Sequence, residues 1–275
     1  MADTSSLPPG WDCHVHVFDG KAPSAGAHYH PLPRPLPEIE AIARAQGCGH
    51  LVLVQPSVYG TDNALMLQAL RAAGGRHRGI VVLHGAETEA ELDAMHAAGV
   101  RGIRFNLVSP VGSAMGSVAM QLERLAPALH ERGWHVQWYA RPADLRQLAA
   151  WQRGFRLTFV LDHLAGLTPA HADDPGAWDP LRELAEAGSW IKLSGWYRLQ
   201  MAPPYDAVKP LVRRVAELFP GRMVWGSDWP HTSMSPEALP GYATVWQPVL
   251  QSLGEETAQR VREAGAILYC MRGES

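Results

Sequence analysis

Short apolar runs alternate with longer amphipathic runs along the chain. We identify apolar runs at 11–18, 50–57, 79–84, 100–107, 134–140, 156–163, 189–195 and 222–228. Runs such as HLVLVQ and RLTFVLD are apolar nearly throughout, as strands are when both faces of a parallel sheet are covered. The stretches between them, such as PEIEAIARAQG and DAVKPLVRRVAELFP, carry helix start signals, and several close on glycine or proline. The pattern predicts βα units around a parallel sheet.

The number of these units indicates how the sheet is arranged. Eight βα units in about 250 residues are typical of an α/β protein with a single (β/α)8 TIM barrel. A doubly wound open sheet is the alternative that the same alternation allows. No linker rich in Ser, Gly or charge divides the chain, so we predict one barrel domain over residues 1–275. In such a barrel the active site lies at the C-terminal ends of the strands.

The first and last predicted strands carry the main candidates for chemistry. In DCHVHVFD at 12–19, strand periodicity places His14 and His16 on one face and Cys13, Val15 and Val17 on the other. In VWGSDWPH at 224–231, Asp228 ends an apolar run just before a proline. If these strands are neighbours in a closed barrel, the two imidazoles and the carboxylate share a pocket.

Other polar residues lie at the predicted C-terminal strand ends and could face the same pocket. They are Gln55, Ser57, His84, Arg104, Asn106, Gln137, Tyr139, Asp162, His163, Ser194, Arg198 and His231. Each one alone is as well explained by a hydrogen-bonded core or loop residue. The joint arrangement of two histidines on strand one, a histidine on strand six and an aspartate on strand eight favours catalysis.

Composition narrows the class of protein. The 275 residues are 47% hydrophobic with a net charge of −3, and no basic run indicates a nucleic-acid partner or an anionic membrane surface. Cys13, Cys48 and Cys270 show no CxxC spacing, which argues against a disulfide framework or a zinc knuckle. The N-terminal residues have no signal-peptide pattern, and no run of eighteen apolar residues occurs. We expect a cytoplasmic protein with no membrane partner.

Five motifs along the chain resemble those of a known family. The sequence is similar to the amidohydrolase superfamily, and within it to the lactonase branch that includes pyrone-dicarboxylate and sugar-acid lactonases. The motifs are DCHVHVFD (12–19), GIRFN (102–106), LDHLAG (161–166), LSGWYRL (193–199) and WGSDWPH (225–231). HxH alone is a weak signal, whereas the five motifs in this order are a strong one.

The resemblance implies roles for four catalytic residues. The histidines that match His14, His16 and His163 surround the reacting carbonyl in this family, and the aspartate that matches Asp228 handles the proton of the attacking water. Chemistry agrees, because an ester carbonyl needs donors where its oxygen becomes negative and the water needs a base. The expected reaction is hydrolysis of a small carboxylated lactone, with Arg104 also polarising the carbonyl.

Substrate binding is expected from arginines and hydroxyl groups around this centre. The guanidinium groups of Arg104 and Arg198 are suited to a carboxylate, although an internal salt bridge would explain either arginine equally well. Ser57, Tyr29, Tyr139 and His231 complete the predicted substrate-binding set. The pyrone-dicarboxylate lactonases carry a second arginine after the GIRFN-like motif, where this chain has Pro110. A monoacid lactone, or a sugar-acid lactone bound mainly through hydroxyls, is therefore expected.

Two further questions stay open in the sequence. Metal-dependent relatives add a strand-five histidine or a strand-four lysine, and this chain presents Gln137 and Arg104 there. Catalysis without a metal is therefore favoured, with zinc held by His14, His16 and Asp228 as the alternative.

The reaction alternatives are isomerisation of a sugar-acid lactone and zinc-dependent amide hydrolysis or decarboxylation, and a protein that only binds a ligand is a fourth. A homo-oligomer is possible.

Overall fold

The computed structural model describes residues 7–21, 27, 29–109, 111–113, 115–232, 234 and 236–270. Eight parallel strands form one sheet in chain order. The strands are β1 Gly10–Val15, β2 Cys48–Val54, β3 Arg78–Val81, β4 Val100–Asn106, β5 His135–Tyr139, β6 Phe159–Leu161, β7 Trp190–Leu193 and β8 Met223–Trp225. Each overlaps one of the eight predicted apolar runs.

The sheet closes into a barrel between its first and last strands. Val15 forms a parallel bridge with Trp229. The backbone N–H of Asp228 donates to the carbonyl of His14 at 2.9 Å, and the N–H of His16 donates to that of Trp229 at 2.9 Å. The predicted (β/α)8 barrel is confirmed, and the open-sheet alternative is wrong.

Helices follow the strands and cover the outside of the barrel. They are α1 Leu36–Ala45, α2 Ala64–Ala72, α3 Glu89–Ala97, α4 Met115–Glu131, α5 Leu145–Phe155, α6 Pro175–Glu186, α7 Lys209–Leu218, α8 Tyr242–Leu253, α9 Glu255–Glu263 and α10 Gly265–Tyr269. Local signals explain several boundaries: Thr88 and Glu91 form a capping box at the start of α3. Within the described ranges, no helix has both the length and the apolar composition needed to cross a bilayer.

Buried residues form an outer layer and an inner cluster. The outer layer joins strand residues such as Leu53 and Ile103 to the apolar faces of α1 to α8. The inner cluster contains strand residues such as Val52, Val160 and Val224, and it is joined at the amino-terminal end by Tyr269 of α10. The lower part of the barrel is therefore filled, which leaves the carboxyl ends of the strands for a site.

Strand β1 departs from the simple alternation that we predicted. Its pairing with β2 is irregular between Asp12 and Val15. Consequently Cys13 belongs to the inner cluster, whereas Val15 and Val17 pack in the outer layer. Placing Cys13 on the same face as those two valines was wrong, because an irregularity shifts the side-chain phase that strict alternation assumes.

Candidate active site

Backbone turns at three strand ends bring the candidate residues together. His14 lies on β1, His16 directly after it, His163 two residues beyond β6 and Asp228 three residues beyond β8. His163 and Asp228 have φ values of 48° and 62°, in the left-handed region that costs a residue with a Cβ about 1 to 3 kcal/mol. Neither strand therefore runs as far as predicted, and the turns direct both side chains into the barrel.

Asp228 is a buried carboxylate whose two oxygens differ in their hydrogen bonding. Its Oδ2 accepts hydrogen bonds from the Tyr197 hydroxyl at 2.8 Å and from Nε of Arg198. Its Oδ1 has no hydrogen-bond partner among the described residues. Burial by itself raises the pKa of Asp228, but Arg198 and the surrounding imidazoles outweigh it and hold the pKa well below its usual range. Asp228 is therefore ionised at neutral pH.

His14 and His163 each present one unsatisfied ring nitrogen to the same space. Their rings lie 4.9 Å apart, and Nε2 of both is buried without a partner in the described part of the chain. His14 Nε2 lies 3.6 Å from Asp228 Oδ1. His163 Nδ1 pairs with the Ser194 hydroxyl at 2.9 Å, and burial lowers the pKa of His163 to about 4. The ring of His163 is therefore neutral at pH 7.

His16 is oriented differently from His14 although the two look alike in the sequence. Its Nδ1 lies 2.8 Å from the carbonyl oxygen of Val54, and a carbonyl can only accept, so Nδ1 carries the proton. Its Nε2 lies 3.5 Å from Asp228 Oδ1. In the neutral ring Nε2 is therefore an acceptor, and it faces Asp228 Oδ1, which is also an acceptor. A group that donates hydrogen bonds is needed next to these two atoms.

A buried polar layer lies beneath this centre. Asp162 Oδ2 accepts from Arg104 Nε and from Gln137 Nε2, each at 3.0 Å, while its Oδ1 lies 3.4 Å from both His14 Nδ1 and Lys192 Nζ. Burial raises the pKa of Asp162, but Lys192, His14 and Arg104 outweigh it and hold the pKa well below its usual range. Lys192 was missed by the sequence analysis. The signal was present, because a lysine within the apolar run WIKL of β7 must be buried with a partner.

The predicted substrate-binding residues lie around the mouth of the site. Of those residues, Ser57, Tyr29, Arg104, Tyr139 and Arg198 line one small cavity of about 20 Å³ together with His16. That volume holds roughly one water molecule. His231 instead stacks edge-on against Tyr197 with ring centroids 5.7 Å apart and faces a neighbouring cavity of about 230 Å³.

Arg104 and Arg198 differ in how many of their N–H groups are already hydrogen-bonded within the protein. Arg198 donates through Nε to Asp228 and through Nη2 to Thr232 at 2.8 Å, so the internal salt bridge that we considered is present. Arg104 donates through Nε to Asp162, and its two terminal nitrogens make no hydrogen bond to any other described residue. Its guanidinium carbon lies 5.3 Å from the centre of the Tyr139 ring. Arg104 therefore has N–H groups available to bind an anionic ligand.

Some predicted strand-end residues have other environments. Gln55 donates to the carbonyls of Gly60 and Asp62 and so supports its own loop. His84 is more than half exposed, 3.4 Å from Glu87. Pro110, on which the expectation of a monoacid substrate rested, lies outside the described residues.

The site has a donor set that could bind a metal ion. Among the described residues, one ligand atom each from His14, His163 and Asp228 lie within 4.8 Å of one another. Two imidazole nitrogens and a carboxylate oxygen are ordinary zinc ligands. Within the described part of the chain, all three residues have a buried atom without a hydrogen-bond partner, so these residues fit a cation as well as they fit a polar ligand.

Comparison with known proteins gives concordant matches. The amidohydrolase family model matches residues 11–264. A 4-sulfomuconolactone hydrolase of Rhizobium radiobacter is 32% identical over 86% of this chain and 81% of its own length. A 2-pyrone-4,6-dicarboxylate hydrolase of Comamonas testosteroni is 32% identical over 83% of this chain and 79% of its own. A crystal structure of an Acinetobacter baumannii protein with citric acid bound superposes with a TM-score of 0.80 and 27% identity, covering 96% of this chain and all of the other.

Proposed function

Since the chain belongs to the amidohydrolase family, as its motifs predicted, we propose that it hydrolyses the ester bond of a small lactone that carries one carboxylate. The predicted general class, a hydrolase that acts on ester bonds, is confirmed by the relatives, which are lactone hydrolases. The choice of substrate and the roles of individual residues are the proposal.

One observation supports this assignment above the others. His14 Nε2, His163 Nε2 and Asp228 Oδ1 are buried and lack hydrogen-bond partners in the described structure, and one ligand atom from each of these residues lies within 4.8 Å of the others. Leaving a buried polar atom unpaired costs about 1 to 3 kcal/mol, so three together indicate a space built for a polar ligand. A lactone carbonyl with an attacking water supplies both the acceptor and the donor that these atoms require.

We assign the attack on the carbonyl to a water held by Asp228. Oδ1 of Asp228 takes a proton from the water while the oxygen of the water bonds to the carbonyl carbon. The carbonyl oxygen becomes negative and is stabilised by the Nε2–H groups of His14 and His163 and by Arg104, whereas Nε2 of the neutral His16 ring is an acceptor and cannot donate to it. When the tetrahedral intermediate collapses, the ring C–O bond breaks, and the proton on Asp228 passes to the departing alkoxide. The product is an open-chain hydroxy acid.

Arg104 supports a substrate with one carboxylate. Its two terminal nitrogens are uncommitted among the described residues, whereas Arg198 is held by Asp228 and Thr232. A guanidinium fork binds a carboxylate through two parallel hydrogen bonds. The adjoining cavity of about 390 Å³ shares Ser57 and Arg104 with the site, and its other polar lining includes Thr61, Ser113 and Gln121. The rest of the substrate is therefore neutral and able to hydrogen-bond.

We propose that this chemistry proceeds without a metal, in line with the residues of strands four and five. The cationic Arg104 pairs with Asp162 beside the site, and Lys192 adds a second buried cation, so a divalent ion would meet repulsion there. Were zinc bound, His14, His163 and Asp228 would hold it and it would polarise the carbonyl as a Lewis acid.

A lactone screen tests the proposed function. Aldonic, aldaric and unsaturated monocarboxylate lactones are incubated with the protein at pH 7, with and without chelator, and the products are identified by NMR. We expect open-chain acids and no loss of rate with chelator. An isomerised ring would identify a lactone isomerase, and a rate abolished by chelator and restored by zinc would contradict catalysis without a metal.

A further inference from the structure

A lysine on the floor of the site has no role in the reaction as described so far. Lys192 of β7 is fully buried, with none of its surface exposed. Its Nζ lies 2.6 Å from Gln137 Oε1, 3.3 Å from His14 Nδ1 and 3.4 Å from Asp162 Oδ1. These three atoms are its hydrogen-bond and ion-pair partners among the described residues.

Counting donors and acceptors determines how His14 must be protonated. Burial lowers the pKa of Lys192, whereas the neighbouring Asp162 carboxylate raises it, and with that counter-ion the side chain is an ammonium. An ammonium has three N–H donors and no lone pair, so each of the three neighbouring atoms must accept. Gln137 Oε1 and Asp162 Oδ1 are acceptors in any case. His14 Nδ1 can accept only when its ring proton is on Nε2. If Nδ1 carried the proton, an N–H of the lysine would face another N–H in a buried space, which is unfavourable because neither donor would then have an acceptor.

Asp162 is the competitor for the same nitrogen. Its Oδ1 lies 3.4 Å from His14 Nδ1 and could accept a proton from it, which would favour the opposite tautomer. That separation is close to the 3.3 Å between His14 Nδ1 and Lys192 Nζ, but the Asp162 carboxylate can accept from the lysine instead, whereas an ammonium can only donate to Nδ1. Oδ2 of the same carboxylate already accepts from Arg104 and Gln137. The carboxylate therefore serves as the counter-ion of two cations.

We propose that Lys192 is a positioning residue that fixes the tautomer of His14. Its ammonium donates to Nδ1 and so keeps the ring proton on Nε2, the nitrogen that faces His163 and Asp228. Resting on the proposed function, this makes His14 a hydrogen-bond donor to the carbonyl oxygen as that oxygen becomes negative. A ring in this form has no lone pair free on Nε2 for a cation.

The tautomer can be measured directly in the wild-type protein. Two-bond 1H–15N correlation spectra of protein labelled with 15N-histidine distinguish a protonated Nδ1 from a protonated Nε2, and the signals of His14 are those lost in His14→Gln. We expect His14 to carry its proton on Nε2. A proton on Nδ1 of His14 would overturn the proposal. This measurement needs no substrate, so it stands even if every lactone in the screen is inert.

Two substitutions show whether the lysine sets this state. Lys192→Met keeps the length of the side chain and removes all donors, and Lys192→Leu is a shorter variant, also without donors, should the first not fold. In both we expect the proton of His14 to move toward Nδ1, where Asp162 accepts it. On a lactone that the wild type hydrolyses, kcat should fall about 10- to 100-fold with KM nearly unchanged.

Other outcomes would assign the lysine differently. If Lys192→Met keeps the ring proton on Nε2 and retains kcat, the lysine has no positioning role. If both variants lose only thermal stability while the spectra of His14 do not change, Lys192 is a structural counter-ion of Asp162. Since a structural role alone would not move a ring proton, the spectra separate the two explanations.

Discussion

The two ends of the barrel each contain a buried histidine next to a carboxylate, and the two pairs differ in how completely their polar atoms are hydrogen-bonded. At the amino-terminal end, His77 Nε2 lies 2.9 Å from Glu40 Oε1 and its Nδ1 accepts from the N–H of Leu51 at 3.2 Å. At the carboxyl end, His14 Nε2 and Asp228 Oδ1 are 3.6 Å apart, and both lack a hydrogen-bond partner among the described residues. The polar atoms of the first pair are hydrogen-bonded within the protein, whereas those of the second pair can bind a third group.

Burial alone does not make this distinction. His135, at the start of β5, is buried and has an Nε2 without a partner in the described structure, and burial lowers its pKa to about 3. That nitrogen belongs to a ring packed edge-on against Tyr269, with centroids 5.2 Å apart, in the filled part of the barrel. What marks the carboxyl end is therefore the convergence of several unsatisfied atoms from different strands.

The largest effect should come from Asp228, because the proposed reaction depends on its free oxygen. Asp228→Asn keeps the size of the side chain but cannot take a proton, and general-base catalysis contributes about 10² to 10⁴ in rate. We expect kcat to fall by that factor on any lactone that the wild type hydrolyses. Glu40→Gln is the matched control at the amino-terminal end and should leave kcat unchanged. Full activity of Asp228→Asn would remove the proposed difference between the two ends.

His163 should give the next largest effect. Its Nε2 is proposed to stabilise the oxyanion, and loss of one such donor costs about 10² to 10³ in kcat. We expect His163→Asn to show that loss in steady-state kinetics, whereas His77→Asn lowers thermal stability without a comparable change in kcat. Equal losses of kcat in the two variants would mean that the barrel as a whole, and not this end of it, determines activity.

These comparisons also show how far the sequence could be interpreted. Apolar periodicity was sufficient for the barrel and for the meeting of His14, His16 and Asp228, because a closed sheet brings its first and last strands together. The catalytic role of His163, which follows the sixth strand, was added by the resemblance to a family. Periodicity could not show the irregularity of β1 at Asp12 to Val15, since an extra residue in a strand leaves no mark in hydrophobicity. For the same reason Cys13 was placed on the wrong face.

The sequence also could not predict that His14 and His16 have different hydrogen-bond partners and different roles. His14 and His16 occupy equivalent places in HxH, yet His16 donates to a backbone carbonyl, whereas His14 contacts a lysine from β7. Those partners are 38 and 178 residues away along the chain, so no local pattern contains them. Hydrogen-bond partners of buried groups are set by tertiary packing, which spacing within a motif does not record.

A smaller effect is expected at Arg104, and it should depend on the substrate. A hydrogen bond to a charged group contributes about 1.5 to 3 kcal/mol, so Arg104→Gln should raise KM for a carboxylated lactone about 10- to 100-fold. The methyl ester of the same lactone lacks the anion and should lose much less. Arg76→Gln, which removes a partner of Glu40 at the other end, is the control and should change neither KM. An equal loss on acid and ester would show that Arg104 acts on the reacting carbonyl or on Asp162 and does not bind the carboxylate of the substrate.

The smallest effect concerns the stability of the satisfied pair itself. Hydrogen bonds from His77 and Arg76 lower the pKa of Glu40 from its ordinary 4.5 to about 2. A carboxyl group whose pKa is lower in the folded state stabilises the fold above its unfolded pKa, and that contribution is lost as the pH falls toward the folded value. Because Glu40 is partly exposed to solvent, we expect about 1 kcal/mol or less. Urea unfolding should show wild type more stable than Glu40→Gln at pH 7, with the difference shrinking between pH 4.5 and 2. A difference that stays constant over this range would mean that packing of the side chain, and not its charge, stabilises the amino-terminal end.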